Sequence, residues 1–192
     1  MKKILFALLL IPALFLLPSS CKKGDNDPFI SFRSRKARIA NDWTCKSLNA
    51  QLTFSEPSGT GAYSIGYSGS NISISDSDPA TPSSSLSYSF KLKIEKDGKF
   101  TGMEYLDGEM NYVEGTWNFN GKIGEDKNKE SITLKITRST MGTDAGIFFV
   151  MGGTLTCKIK ELREKRMLLE IDSFIYADAD SFSKMKGEFI FE

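Results

Sequence analysis

The chain contains no histidine and only three cysteines among its 192 residues. The first absence removes His-based triads, His metal ligands and imidazole acid–base chemistry. The second excludes a small disulfide-dense scaffold. An excess of either charge is lacking too: 25 Lys and Arg stand against 24 Asp and Glu, a formal net charge of +1. Residues 21–192 alone carry 23 basic and 24 acidic side chains, because Lys2 and Lys3 are the only charges before Cys21. A body so close to neutral offers no electrostatic footprint for nucleic acid.

What is present begins with an export pattern. Met1-Lys2-Lys3 is positive, and Ile4 to Pro18 is an almost unbroken apolar run of 15 residues. A helix crossing a bilayer core of roughly 30 Å needs about 20 residues, so the run is short for an anchor helix and suited to a signal peptide. Leu17-Pro18-Ser19-Ser20-Cys21 follows, and the chain turns polar at once with Lys22-Lys23-Gly24-Asp25-Asn26-Asp27. Small residues before a lone cysteine resemble the lipobox of bacterial lipoproteins, in the relaxed Ser-Ser-Cys form of Bacteroidetes-type bacteria. The resemblance implies that residues 1–20 are removed and that Cys21 is lipidated. Two or three acyl chains there would hold the protein durably at the outer membrane, where a single chain is marginal. Both the periplasmic and the cell-surface face stay open.

Gly24, Asn26 and Pro28 favour open chain, so residues 21–34 are expected to form a tether and residues 35–192 the folded domain. Arg33, Arg35, Lys36 and Arg38 make a basic run. It suits a solvated helix face, with Phe32, Ala37 and Ile39 turned inward, or attraction to anionic head groups at about 1 kcal/mol per basic residue.

Beyond Asn41 the dominant signal has period two. Leu86, Tyr88, Phe90, Leu92 and Ile94 alternate with Ser87, Ser89, Lys91, Lys93 and Glu95, and Asp97-Gly98 then supplies a hairpin turn. Ile132, Leu134 and Ile136 repeat the pattern, as do Leu155, Cys157 and Ile159, then Met167, Leu169 and Ile171, then Met185, Gly187, Phe189 and Phe191. One wet and one dry face per strand predicts an antiparallel sheet. In the first strand Trp43 and Cys45 have odd parity while Leu48, Ala50, Leu52 and Phe54 have even, which predicts a bulge near Lys46-Ser47. Only Gly146 to Met151 is apolar throughout. The fold class is therefore all-β, an up-and-down barrel of about eight to ten strands after a short helical segment, with a two-sheet sandwich as the alternative.

Three local patterns carry a further resemblance: Ala40-Asn41-Asp42-Trp43-Thr44, then Gly115-Thr116-Trp117-Asn118-Phe119-Asn120-Gly121, then Ile159-Lys160-Glu161-Leu162 through Lys165-Arg166-Met167-Leu168-Leu169. Together they are similar to the small lipocalin-like lipoproteins of Bacteroidetes-type bacteria. That resemblance implies a barrel in an envelope protein, and no particular ligand.

Trp43, Trp117, Phe119, Leu134, Leu155 and Leu169 are expected to be core, since large apolar side chains dominate interior packing. Cys45 and Cys157 share the apolar parity and suit either a disulfide or two buried thiols. Asp76-Ser77-Asp78 lacks the spacing of a calcium loop, and Asp172, Asp178 and Asp180 near Tyr176 read as loop carboxylates. No catalytic residues, cofactor or metal are expected. The weak strand through Gly66 and Gly69 suggests a shallow apolar cup opposite the tryptophans, with Tyr67, Phe90 and Phe189 as its candidate lining. Two roles remain: a carrier of a small apolar or amphipathic ligand, or a filled barrel serving as an interaction or structural subunit of an envelope assembly.

The anchor is tested at its nucleophile. Cys21→Ala should abolish incorporation of a labelled fatty-acid analogue and release the body from membranes; a mutant that still takes the label would exclude lipidation at this residue.

Overall fold

The computed structural model describes residues 27, 33–57, 59–122, 129–140, 147–149, 153–177 and 181–192, with only the backbone of residues 175–177. Cys21 lies outside the described residues. A one-turn helix, α1 (Arg35–Ile39), precedes ten strands: β1 (Asp42–Glu56), β2 (Gly59–Ser68), β3 (Asn71–Asp76), β4 (Ser84–Ile94), β5 (Lys99–Leu106), β6 (Glu109–Phe119), β7 (Ser131–Ser139), β8 (Thr154–Leu162), β9 (Met167–Ala177) and β10 (Phe182–Phe191). Each strand pairs antiparallel with the next, and β10 returns to β1 through Leu48↔Phe189 and Leu52↔Met185. The sheet therefore closes into an up-and-down barrel of lipocalin-like outline and is not a sandwich. Closure removes the unpaired edges that an open sheet would leave.

The local rules that predicted the strands also set their register. Gly98 turns the β4–β5 hairpin at φ +96°, a left-handed conformation that glycine adopts without strain, and Ile94 pairs with Phe100. The register of β1 shifts between Cys45 and Ser47, so Trp43 and Cys45 face the same interior as Leu48 and Ala50. This bulge also divides β1 between two neighbours. Asp42–Thr44 pair with Lys91–Lys93 of β4, while Ser47–Glu56 pair with β2.

The end of the barrel nearest α1 is closed by polar as well as apolar groups. Ser34 caps α1 by accepting the Ala37 amide at 3.1 Å, and the Trp43 indole donates to the Ile39 carbonyl at 2.8 Å. Asp27, expected within a free tether, is buried here instead. It accepts from the Arg35 guanidinium and, at 2.6 Å, from the Leu162 amide, while Arg38 donates to the Leu162 carbonyl. Arg35 and Arg38 are thus neither a solvated face nor free for head groups, because Asp27 and the end of β8 draw them inward. Lys36 stays exposed, and Arg33 pairs with Glu164.

Trp117 belongs to the same end. It is 5% exposed, its indole donates to the Glu95 carbonyl at 2.8 Å, and its ring meets Phe119 edge-on at 5.3 Å. Removing so large a buried ring leaves a cavity, and Trp117→Ala should cost roughly 3–5 kcal/mol in chemical denaturation. A variant as stable as the parent would place the ring outside the core.

Candidate functional site

On the inner face of β5 the side chains run Phe100, Gly102, Glu104: a ring, a gap and a carboxyl group, all buried. The gap is filled from elsewhere in the chain. Ile147, Phe148 and Phe149 come from the connection between β7 and β8, and both phenylalanines are buried inside the barrel. A Cβ at Gly102 would fall 2.5 Å from the Phe149 ring, so only glycine admits that ring without displacement. Phe149 stacks on Phe100 at 6.1 Å and meets Phe90 edge-on at 5.4 Å. Phe148 lies 4.8 Å from Phe90 and 4.8 Å from Phe189, with Phe191 at 6.0 Å.

Glu104 holds this segment in place. Its Oε1 accepts the Tyr88 hydroxyl at 2.6 Å and the amides of Ile147 and Phe148 at 2.8 and 3.0 Å. Its Oε2 is buried and has no hydrogen-bond partner among the described residues. Burial raises the Glu104 pKa, and this desolvation outweighs the opposing pull of Tyr88 and the loop amides. Tyr88 is pushed well up by its own burial and by Glu104, and the Cys45 thiol is pushed up to about 12 by burial, with Glu104 adding to it. Tyr67 meets Tyr88 edge-on at 4.9 Å and donates to the Gly69 carbonyl at 2.8 Å. Around Glu104 the described interior therefore brings together one carboxyl group, the phenols of Tyr67 and Tyr88 and the Cys45 thiol beside an aromatic cluster. Such a set can hold hydrogen-bond donors. Both thiols, Cys45 and Cys157, are free and buried, and burial pushes the Cys157 pKa up too, which leaves them inert as nucleophiles.

The candidate cup residues do not come together at one opening. Phe90 and Phe189 are fully buried and flank Phe148, because the β7–β8 connection supplies the ring that packs between them. Tyr67 packs on Tyr88 and also borders a depression of about 540 Å³ along β1–β3, lined by Leu48, Ile65, Asn49, Gly66 and Ser73. The small side chains of the Gly/Ser-rich strands thus open the wall and not an apolar mouth. Trp43, Leu134, Leu155 and Leu169 lie in the core, and Phe119 packs half-buried against it. Asp76 and Asp78 cap their own turn, accepting the amides of Asp78 and Ala80 at 2.9 Å each. Asp172 pairs with Lys184, while Asp178 and Asp180 lie outside the described residues. Among the described residues no group of three or more His, Cys, Asp or Glu is arranged to hold a metal ion.

Sequence reasoning passed over Glu104 and Phe148–Phe149, yet each left a trace. Glu104 is a charge on the dry parity of β5, and Gly146 to Met151 departs from the alternation of Ile132–Ile136 before it and Leu155–Ile159 after it. Comparison of the chain with models of protein families, with curated proteins and with solved structures finds no match.

The raised Glu104 pKa has a signed consequence. The folded state holds this proton more tightly than the unfolded state, so its stabilising contribution is full at acid pH. It declines as pH rises from the ordinary carboxylate range through the raised folded value. Glu104→Gln lacks this dependence. The stability of the parent relative to Glu104→Gln should therefore fall as pH rises above the ordinary carboxylate range in paired denaturation curves. A parent that instead gains on the variant with rising pH would show that the three donors, and not burial, govern the carboxyl group.

Proposed function

We propose that this protein is a cell-envelope lipoprotein, held at the outer membrane through Cys21, whose barrel binds a small apolar or amphipathic ligand noncovalently. The anchor rests on the lipobox resemblance. The binding role rests on one observation: the strands do not fill their own barrel, and Phe148 and Phe149 from a connecting segment complete the core. Eight strands give a barrel just wide enough to be filled by side chains or to hold one small ligand. Ten strands enclose more, and ligand pockets of about 300–1,000 Å³ are of that scale. The proposed role is binding, without catalysis.

The second reading, an interaction subunit with a permanently filled core, draws on the outer wall. Met103, Tyr105 and Met110 are exposed on β5 and β6, where Tyr105 pairs with Met110 and Met103 with Tyr112. A contiguous apolar patch of this kind suits a protein partner. Native mass spectrometry of the protein extracted from envelopes separates the two. A small apolar adduct lost on denaturation is the result expected of a carrier. A ligand-free protein that retains a second polypeptide would favour the interaction subunit.

A further inference from the structure

The interior carries a polar group that packing alone does not require. A loop can be held by a backbone carbonyl or a glutamine, whereas burying an ionisable carboxyl group costs more, which is why buried carboxyls are rare without full pairing. Glu104 is 1% exposed, and among the described residues the hydrogen bonds reach only its Oε1. More than about 90% of buried polar atoms in folded proteins find a partner, so a carboxyl oxygen left over here marks unspent binding capacity. The space beside it is equally specific. Gly102 removes a side chain below Phe149, and Phe90, Phe100 and Phe189 form an aromatic surround. The chain segment in that space presents to the site two adjacent rings and two N–H donors aimed at one carboxylate oxygen.

We propose that Ile147–Phe149 stand in for a ligand, and that the ligand is a neutral compound of one or two apolar rings with an N–H or O–H donor bound by Glu104. The inference rests on the carrier reading and adds to it a chemical class and a specificity-determining residue. Binding exchanges like for like: the ligand's rings replace those of Phe148 and Phe149, and its donor replaces the amides of Ile147 and Phe148. A purely hydrocarbon ligand would leave the carboxyl group and the Tyr88 hydroxyl to each other alone. Sites built around a buried hydrogen-bonding group reject analogues that lack the matching group, because that group is left unpaired.

The test opens the site and then asks for the donor. The probe is N-phenyl-1-naphthylamine, two ring systems joined by one N–H, added to the full chain in mild detergent. Binding is read as energy transfer from Trp43 and Trp117, the only two tryptophans of the chain, so probe dissolved in micelles does not count. Phe148→Ala/Phe149→Ala should bind the probe about tenfold or more tightly than the unaltered chain, since the internal competitor has lost its rings. Diphenylamine should displace the probe about tenfold better than diphenylmethane, which has CH2 in place of N–H, and Glu104→Leu in the same background should erase that preference. Phe149→Ala alone, which vacates only the space above Gly102, carries the same comparison if the double variant does not fold. The weaker binding of the unaltered chain carries it if neither variant folds. Absence of saturable probe binding overturns both the carrier reading and this inference. Binding with equal competition by the two compounds overturns the inference alone and leaves an apolar carrier.

Discussion

Glu104 reaches inward from β5, and its Oε1 gathers the hydroxyl of Tyr88 with the amides of Ile147 and Phe148. On these three bonds depends the filling of the barrel. A loop brought into an apolar interior exposes amides that water can no longer satisfy, and each unpaired group costs roughly 1–3 kcal/mol. The carboxyl oxygen answers two of them at once and thereby fixes where Phe148 and Phe149 rest. The rings then do what the ten strands cannot, packing between Phe90, Phe100 and Phe189. Polar geometry sets the position here, and apolar burial supplies the free energy.

The opposite logic operates at the end near α1. There two guanidinium groups converge on one aspartate, and Arg35 Nε, Arg35 Nη2 and Arg38 Nε have no hydrogen-bond partner among the described residues. Breaking a buried pair by removing one partner typically costs about 3–5 kcal/mol, since the surviving charge stays desolvated. Burial lowers the Arg35 pKa, with Asp27 opposing and Arg38 reinforcing the shift. Asp27 thus ties the chain entering the barrel to the end of β8. Cys21 lies six positions before Asp27, and at about 3.3–3.6 Å per extended residue that span reaches no more than about 22 Å. With an acyl anchor at Cys21, the α1 end of the barrel would lie close to the bilayer surface.

The barrel was legible because its rules are local. Alternation in Leu86–Ile94 and Leu155–Ile159, the Asp97-Gly98 turn, and the parity change between Cys45 and Leu48 each follow from period-two geometry within a few residues. The clamp and the interior segment were not legible because they join residues far apart in the chain. Asp27 meets Leu162 across 135 positions, and Glu104 meets Ile147 across 43. A basic run reads as solvated unless its acidic partner is known, so Arg35 and Arg38 gave no sign of burial. Phe90 and Phe189 were correctly inward in parity, but parity does not say whether the space before a side chain is empty. That space is occupied by a segment with no periodicity of its own.

The origin of the filling matters for what the barrel can do. Phe90, Phe100 and Phe189 belong to strands, and each could leave the interior only if the ladders of β4, β5 or β10 came apart. Phe148 and Phe149 belong to no ladder. What holds them is ring burial, worth about 1.5–3 kcal/mol for each such side chain, together with the hydrogen bonds that the Ile147 and Phe148 amides donate to Glu104. The wall and its contents are therefore stabilised by separate interactions. A barrel filled entirely by its own strands can exchange its core only by unfolding, whereas this one encloses a core segment, Ile147–Phe149, that takes part in none of the strand pairings. Gly102 is the imprint of that segment on the wall: a strand position emptied of its side chain so that a ring from elsewhere can lie against the backbone.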